Sequence, residues 1–219
     1  MIFHTVSWFI QKWFYPKLIW QIPSDKKIIY LTFDDGPIPE VSDFVLQTLK
    51  RFDAKATFFC VGENVRKHPA IFQKIIANGH QIGNHTYNHL VGWKTQNRSY
   101  FENINKCQRE LLTYWKPKEN SAFLFRPPHG RISKSQIAVL RKEYKIIMWN
   151  VLTGDYSKEI TKEKCLSESI KYSGKGSIVV FHDSLKAKEN IEYVLPRYLK
   201  HFSELGFRFE SIEEPSFTS

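Results

Sequence analysis

The sequence predicts a single α/β domain folded as a distorted (β/α) barrel with about seven strands. Short apolar runs alternate with stretches of helical periodicity, which is typical of parallel strands connected by helices. Polar residues follow at least five of the apolar runs, at the strand ends where β/α barrels carry their catalytic groups. The 219 residues are 42% hydrophobic, which is enough for one full core.

A flat, doubly wound parallel sheet is the alternative fold. Its site would lie mainly at one switch point of the strand order, so five converging strand ends favour the closed ring. Each predicted strand is an apolar run bounded by turn residues. In chain order the strands are residues 27–33, 56–61, 81–83, 122–125, 145–149, 177–181 and 207–209.

The connecting helices are predicted from apolar residues that recur three or four positions apart. Residues 39–52 show this spacing at Val41, Phe44, Val45 and Leu49. The other predicted helices are residues 69–77, 100–115, 133–143, 161–172 and 190–204. Ser133 precedes one of them and is a candidate N-cap.

Residues 1–22 form an aromatic segment ahead of the domain predicted for residues 23–219. Lys12, Pro16 and Lys17 interrupt it, so its longest apolar run is shorter than the roughly 20 residues of a spanning helix. It also lacks the basic start and small-residue cleavage site of a signal peptide. We expect this segment to cap the barrel, with contact at a membrane surface as the alternative. The expected location is cytoplasmic or peripheral to the membrane or envelope.

The net charge of +10 favours polyanionic surroundings such as an acidic cell-wall polymer, although a solvated basic surface fits equally well. Lys and Arg are spread along the chain and no nucleic-acid-binding motif occurs, so no nucleic-acid partner is expected. Cys60, Cys107 and Cys165 lie far apart, and an odd count makes no closed disulfide framework. Cys60 lies in an apolar run and is predicted to be in the core.

Asp34 and Asp35 follow the first predicted strand and precede Gly36-Pro37. Two adjacent carboxylates repel each other unless a positive group separates their roles. A metal can do so by binding one carboxylate and leaving the other free as a base. The four residues also suit a tight turn, so this motif alone leaves both interpretations open.

His85 and His89 lie four positions apart in a polar loop after the third predicted strand. Histidines at this spacing can face the same metal. With one Asp they make a two-histidine, one-carboxylate set that leaves coordination positions open for water and substrate. Taken with the Asp pair, they predict a metal site.

Two further strand ends carry polar groups. Arg126 begins the segment Arg-Pro-Pro-His-Gly, where it could hold a carboxylate ionised, and a backbone N–H of this loop could bind an oxyanion. His182 ends another apolar strand, where a histidine near a metal is a natural proton donor that Asp155 could orient. The structural alternative for Arg126 is a surface residue of a rigid loop. For His182 it is a histidine at the edge of the core.

Taken in order, these motifs resemble the NodB-homology polysaccharide deacetylases, also called carbohydrate esterase family 4. The resemblance covers about residues 27–210. The segments that carry it are Thr32-Phe-Asp-Asp-Gly-Pro37, His85-Thr-Tyr-Asn-His89, Arg126-Pro-Pro-His-Gly130, Trp149 with Asp155-Tyr156, and Ile178-Val-Val-Phe-His182. It implies a distorted β/α barrel with one divalent metal, zinc first and cobalt or another transition ion as alternatives. The implied activity is hydrolysis of N-acetyl groups on amino sugars of a glycan such as peptidoglycan or chitin, with release of acetate.

The resemblance also implies roles for individual residues. Asp35, His85 and His89 would be the metal ligands. Asp34 would be the general base, and Arg126 would hold it in place.

On the other side of the site, the resemblance implies His182 as general acid, tuned by Asp155. The backbone N–H of His129 would help to bind the oxyanion. The implied substrate contacts are Pro128, Trp149 and Tyr156.

Two positions depart from the family pattern. Leu152 stands where the family usually has Asp, and Tyr156 where it usually has Trp. In the family, these two positions contribute to the support of the general acid and to the acetyl pocket. The two changes therefore bear on substrate preference. An esterase for O-acetyl groups and a non-catalytic glycan-binding barrel are the two alternative functions.

Overall fold

The structure is a computed structural model that describes residues 15–119 and 121–213. Most of the aromatic segment expected to cap the barrel, residues 1–14, therefore lies outside the described residues. The strands are β1 (Ile28–Asp34), β2 (Thr57–Cys60), β3 (Gln81–Asn84), β4 (Phe123–Phe125), β5 (Tyr144–Ile146), β6 (Val151–Leu152), β7 (Ile178–His182) and β8 (Arg208–Glu210). The helices are α1 (Val41–Arg51), α2 (Gly62–Lys67), α3 (Pro69–Ala77), α4 (Asn97–Tyr114), α5 (Lys134–Leu140), α6 (Lys162–Tyr172) and α7 (Lys188–Glu204).

The strands form one sheet in the order β5-β4-β3-β2-β1-β7-β6, and β8 pairs with β1 off this path. Every strand pair in it is parallel. Helices connect successive strands, as parallel neighbours require, except between β5 and β6, which are not neighbours in the sheet. The predicted distorted (β/α) barrel is confirmed, with eight strands in the described part of the chain where about seven were expected.

The predicted strand at residues 145–149 is wrong as a continuous element. β5 ends at Ile146, and after a short connection the chain forms β6, which pairs with β7. Ile147 keeps a bond to the β4 carbonyl of Phe125, but the Met148 N–H turns to the carbonyl of Ile19. The change of partner bends the chain and separates the two strands. Helix α2 was also not predicted, because its six residues are too few to show a period.

Residues 18–22 bridge the residue that follows β5 and the residue that precedes β7. Ile19 forms a parallel bridge to Ile147, just after β5. Gln21 forms an antiparallel bridge to Ser177, just before β7. Leu18, Trp20 and Ile22 are buried beside these bridges. These described residues therefore belong to the wall of the barrel. The domain boundary expected at residue 22 stays a prediction.

Strand β1 shows how the sheet divides the core. Ile29, Leu31 and Phe33 point to the outer face, where they pack with the helices in the largest hydrophobic cluster. Ile28 and Tyr30 belong to the cluster on the opposite, inner face. Because side chains alternate along a strand, Thr32 and Asp34 continue this inner row towards the carboxyl end. Asp34 is thereby placed at the inner rim of the barrel.

Smaller expectations can be compared directly with the structure. Ser133 caps α5 in a capping box with Gln136, which confirms the predicted N-cap. Cys60 is buried and free, which confirms its place in the core. Within residues 15–119 and 121–213, no helix has the length and apolar character needed to cross a membrane.

Candidate active site

A cleft of about 680 Å³ opens at the carboxyl ends of the strands. The side chains around it come from several strand ends, as the sequence predicted. Its lining residues are Asp34, Asp35, Ile38, His85, His89, His129, Arg131, Trp149, Leu152, Tyr156, Val180, His182, Ser184, Leu185 and Lys186. Arg126 and Asp155 lie behind this lining, where they contact Asp34 and His182.

Arg126 is fully buried and holds Asp34 from behind. Its Nη1 donates to Asp34 Oδ1 and to Thr32 Oγ1, both at 2.7 Å. Its Nε and Nη2 donate to the carbonyls of Ile147 and Met148. A buried charge is tolerated only when it is paired and hydrogen-bonded, and this guanidinium satisfies both conditions. Asp34 therefore has one oxygen fixed by Arg126, while Oδ2 faces His85 at 3.9 Å from its Nε2.

Asp35, His85 and His89 bring their ligand atoms within 4.8 Å of one another. Asp35 Oδ1 lies 3.2 Å from His89 Nε2 and 3.8 Å from His85 Nε2. Asp35 adopts a positive φ of 81°, which turns its carboxylate away from the strand direction of Asp34. Asp34 is thus paired with Arg126, whereas its neighbour Asp35 is paired with His89.

The protonation of these groups fits a divalent metal. His85 Nδ1 lies 2.8 Å from the carbonyl of Arg126, so Nδ1 carries the proton and Nε2 keeps its lone pair. Burial lowers the pKa of His85 to about 4, so the ring is neutral at neutral pH. Burial opposes ionisation of Asp35, but the hydrogen bond from His89 and the nearby histidines hold its pKa well below the usual range. One carboxylate and two imidazoles suit zinc and leave further coordination positions for water and substrate.

His182 and Asp155 form the opposite side of the site. His182 Nδ1 donates to Asp155 Oδ1 at 2.7 Å, and the His182 backbone N–H donates to Oδ2 at 2.8 Å. Burial would lower the pKa of His182, but the charge and hydrogen bond of Asp155 raise it to about 9. Since Nδ1 is taken by Asp155, Nε2 is the ring nitrogen available to the cleft.

The other predicted site residues are placed as follows. The His129 ring lies 4.8 Å from the His89 ring, and its backbone has a positive φ of 58°. Trp149 lines the cleft, and Tyr156 packs edge-on against His182. Pro128 is buried and is not part of the cleft lining. The roles given to these residues from sequence stay predictions.

Leu152 and Tyr156 are the two departures from the family pattern, and both line the cleft. Tyr156 is 37% exposed, so its ring presents surface to the cleft as well as to His182. Asp35, His85 and His89, the three candidate metal ligands, are not among the residues that depart from the pattern.

Asp183 is a site residue that sequence reasoning missed. It is buried, its Oδ1 accepts from the Gly36 N–H, and its Oδ2 accepts from the Ser42 hydroxyl. Its own N–H donates to the carbonyl of Asp34. A Cβ at position 36 would collide with the Asp183 carboxyl, so only glycine permits this approach. Its place directly after His182 was the only signal in the sequence.

Comparison with known proteins identifies the family of this chain. A family model described as "Polysaccharide deacetylase" matches residues 21–144. A peptidoglycan-N-acetylglucosamine deacetylase of Bacillus cereus is 30% identical over 198 residues, which cover 89% of this chain and 91% of the relative. The chain belongs to the polysaccharide deacetylase family. The resemblance to NodB-homology deacetylases noted from the motifs is thereby confirmed.

Other polysaccharide deacetylases extend the comparison. A solved structure of a peptidoglycan N-acetylglucosamine deacetylase, bound to a naphthyl N-hydroxybenzamide, matches with a TM-score of 0.84 and 30% identity, covering 97% of both chains. A chitooligosaccharide deacetylase of Azorhizobium caulinodans is 30% identical over 175 residues, 77% of this chain and 80% of its own. Some relatives are longer, and the chain spans 58% of one and 40% of another.

Proposed function

We propose that the protein is a metal-dependent hydrolase that removes N-acetyl groups from amino sugars of a glycan, with peptidoglycan as the first substrate to test. One observation carries the proposal: a carboxylate held by Arg126 and an imidazole held by Asp155 face the same cleft as the three metal ligands. The names of the relatives, which act on peptidoglycan or chitooligosaccharide, support the substrate class.

Asp35, His85 and His89 would hold the metal, with zinc the first choice for this donor set. A divalent metal, when bound, supplies a Lewis acid that lowers the pKa of water and polarises a carbonyl. Asp34 Oδ2 is the oxygen that Arg126 leaves free, so it accepts the proton as water adds to the acetamide carbon. The His129 backbone N–H would donate to the oxygen that gains negative charge.

The amide nitrogen leaves poorly unless it is protonated. His182 Nε2 donates that proton as the carbon–nitrogen bond breaks, which yields acetate and the free amino sugar. With a pKa of about 9, His182 carries the required proton at neutral pH. The base and the acid are thus each held in place by a buried partner, Asp34 by Arg126 and His182 by Asp155.

Acetate release tests this function. We expect metal-stripped protein to regain release from N-acetylglucosamine oligomers or peptidoglycan when zinc or cobalt is added. Asp34→Asn should lower turnover at least about 10²-fold while zinc content stays normal, because the base is lost and the ligands remain. His85→Ala should lose both zinc and turnover.

The surface variant Asp53→Asn is the matched control and should behave like the wild type, since Asp53 is exposed and remote from the cleft. Near-normal turnover in Asp34→Asn would contradict the assigned base. Release of acetate from O-acetylated xylan but not from N-acetylated glycans would favour the esterase alternative. Bound zinc without release from any of these would favour the non-catalytic glycan-binding alternative.

A further inference from the structure

Two cations line the mouth of the cleft, and neither has an acidic partner in the described part of the chain. Arg131 follows the β4 end and Lys186 follows the β7 end. Among the ion pairs formed within the described residues, neither side chain takes part. The carboxylates in the cleft are Asp34 and Asp35, and both are engaged, one by Arg126 and the other by His89. The mouth therefore offers positive charge that no acidic side chain pairs with among residues 15–119 and 121–213.

Arg131 lies beside an exposed aromatic ring. Its carbonyl accepts from the Gly92 N–H, which joins its loop to the turn Gly92–Lys94. Its guanidinium lies over the Trp93 ring, 5.5 Å from the centroid. Trp93 is 54% exposed, although a large aromatic ring normally loses free energy by remaining in water. The pair presents a planar cation and an open indole surface just outside the reacting groups.

This combination matches a particular kind of ligand. A guanidinium binds a carboxylate through two parallel hydrogen bonds, and the geometry favours a planar anion over a neutral group. An indole offers rigid apolar surface against which the C–H face of a sugar ring can pack. Trp93 lies outside the cleft lining, so it would meet a sugar next to the one being deacetylated.

We propose that Arg131 and Trp93 form a subsite for a carboxylate-bearing amino sugar adjacent to the reacting sugar. The inference rests on the function proposed above and narrows its substrate from amino-sugar glycans in general to acidic ones. A glycan in which N-acetylglucosamine alternates with a lactyl-substituted amino sugar carries such a group on every second ring wherever no peptide is attached to the lactyl carboxyl. Lys186, on the far side of β1 from Arg131 in the sheet order, adds to the positive potential of the mouth.

The test compares two forms of one substrate. The probe is a tetrasaccharide of alternating N-acetylglucosamine and N-acetylmuramic acid, with the lactyl group either as the free acid or as its methyl amide. We expect the wild type to prefer the acid form by about tenfold in kcat/KM, the value of one modest charge-assisted contact. In Arg131→Gln the ratio should fall to about one. Turnover of the amide form in the same preparation shows that the variant is folded.

Arg109→Gln is the matched control, because Arg109 is an exposed arginine on α4 and lies outside the cleft lining. Like Arg131→Gln, this substitution removes one positive charge from the surface. It should keep the wild-type ratio of kcat/KM between the acid and amide forms. A disaccharide of the same two sugars is too short to reach the indole. Trp93→Ala should therefore lower kcat/KM for the tetrasaccharide about tenfold more than for this disaccharide.

Three outcomes would overturn the subsite. They are a wild type that does not distinguish acid from amide, an Arg131→Gln variant that keeps the preference, and an Arg109→Gln variant that loses it equally. In each case acetate is still released, so the proposed deacetylase activity stands. Failure to release acetate from both forms would instead contradict that activity, and the subsite with it.

Discussion

At the scale of single residues, the protonation of His182 depends mainly on one neighbour. Asp155 is fully buried and contacts both the ring and the backbone N–H of His182. Asp35 and Asp34 also raise the pKa of His182, but they rank below Asp155. A divalent cation bound at Asp35 would offset these two charges. Asp155 would then be the residue that keeps the acid protonated.

Asp155→Asn should therefore move the alkaline limit of activity. In the wild type, rising pH removes the His182 proton near its pKa of about 9, and kcat/KM falls above that value. Without the Asp155 charge the pKa is lower, so the fall should begin about 1–3 pH units earlier. The measurement is kcat/KM for acetate release between pH 6 and 10. A uniform loss with an unchanged limit would mean that Asp155 only orients the ring.

At the scale of elements, the turn between β1 and α1 is held by the residue that directly follows β7. Asp183 accepts from Gly36 in the turn and from Ser42 at the start of α1. The Ser42 oxygen in turn accepts from the Ile38 N–H. Since Gly36 follows Asp35 directly, this network helps to fix the direction of a candidate metal ligand. The residue that follows the proposed acid His182 thus also orients part of the candidate metal site.

Asp183→Ala should weaken both the fold and the metal site. The change leaves buried donors of Gly36 and Ser42 without an acceptor, which costs about 1–3 kcal/mol. In a chain of this size that lowers Tm by roughly 2–12 °C. We also expect weaker zinc binding in a calorimetric titration. Ser184→Ala is the control, because the neighbouring Ser184 hydroxyl has no hydrogen-bond partner among the described residues. Equal losses in both variants would contradict the role given to Asp183.

At the scale of the whole molecule, the sequence predicts what depends on local burial and misses what depends on distant partners. The strand β1 is buried along its length, so its apolar run was evident. The two-residue strand β6 is defined only by pairing with Val179 and Val180 of β7. Asp183 acts on residues 141 and 147 positions earlier in the chain. No periodicity or spacing near Asp183 reports such contacts.

The closure of the barrel also depends on contacts between residues that are distant in the sequence. The sheet path ends at β5 and β6, and residues 18–22 connect the β5 end to the start of β7, the neighbour of β6, through bridges to Ile147 and Ser177. The Ile22 N–H also donates to the carbonyl of Gly176. The segment has no helical or strand period of its own, yet its alternate side chains are buried in two of the hydrophobic clusters. We therefore expect it to unfold together with the barrel.

Ile22→Ala tests this expectation. Ile22 is 2% exposed and packs in the inner cluster with Ile28 and Ile178, so truncation should lower the free energy of unfolding by about 2–5 kcal/mol. Urea denaturation followed by tryptophan fluorescence and circular dichroism should show one transition at a lower midpoint with an unchanged slope. Lys17→Ala, at an exposed position of the same segment, should change the midpoint little. A separate early transition, or a loss below about 0.5 kcal/mol, would show that the barrel closes without this segment.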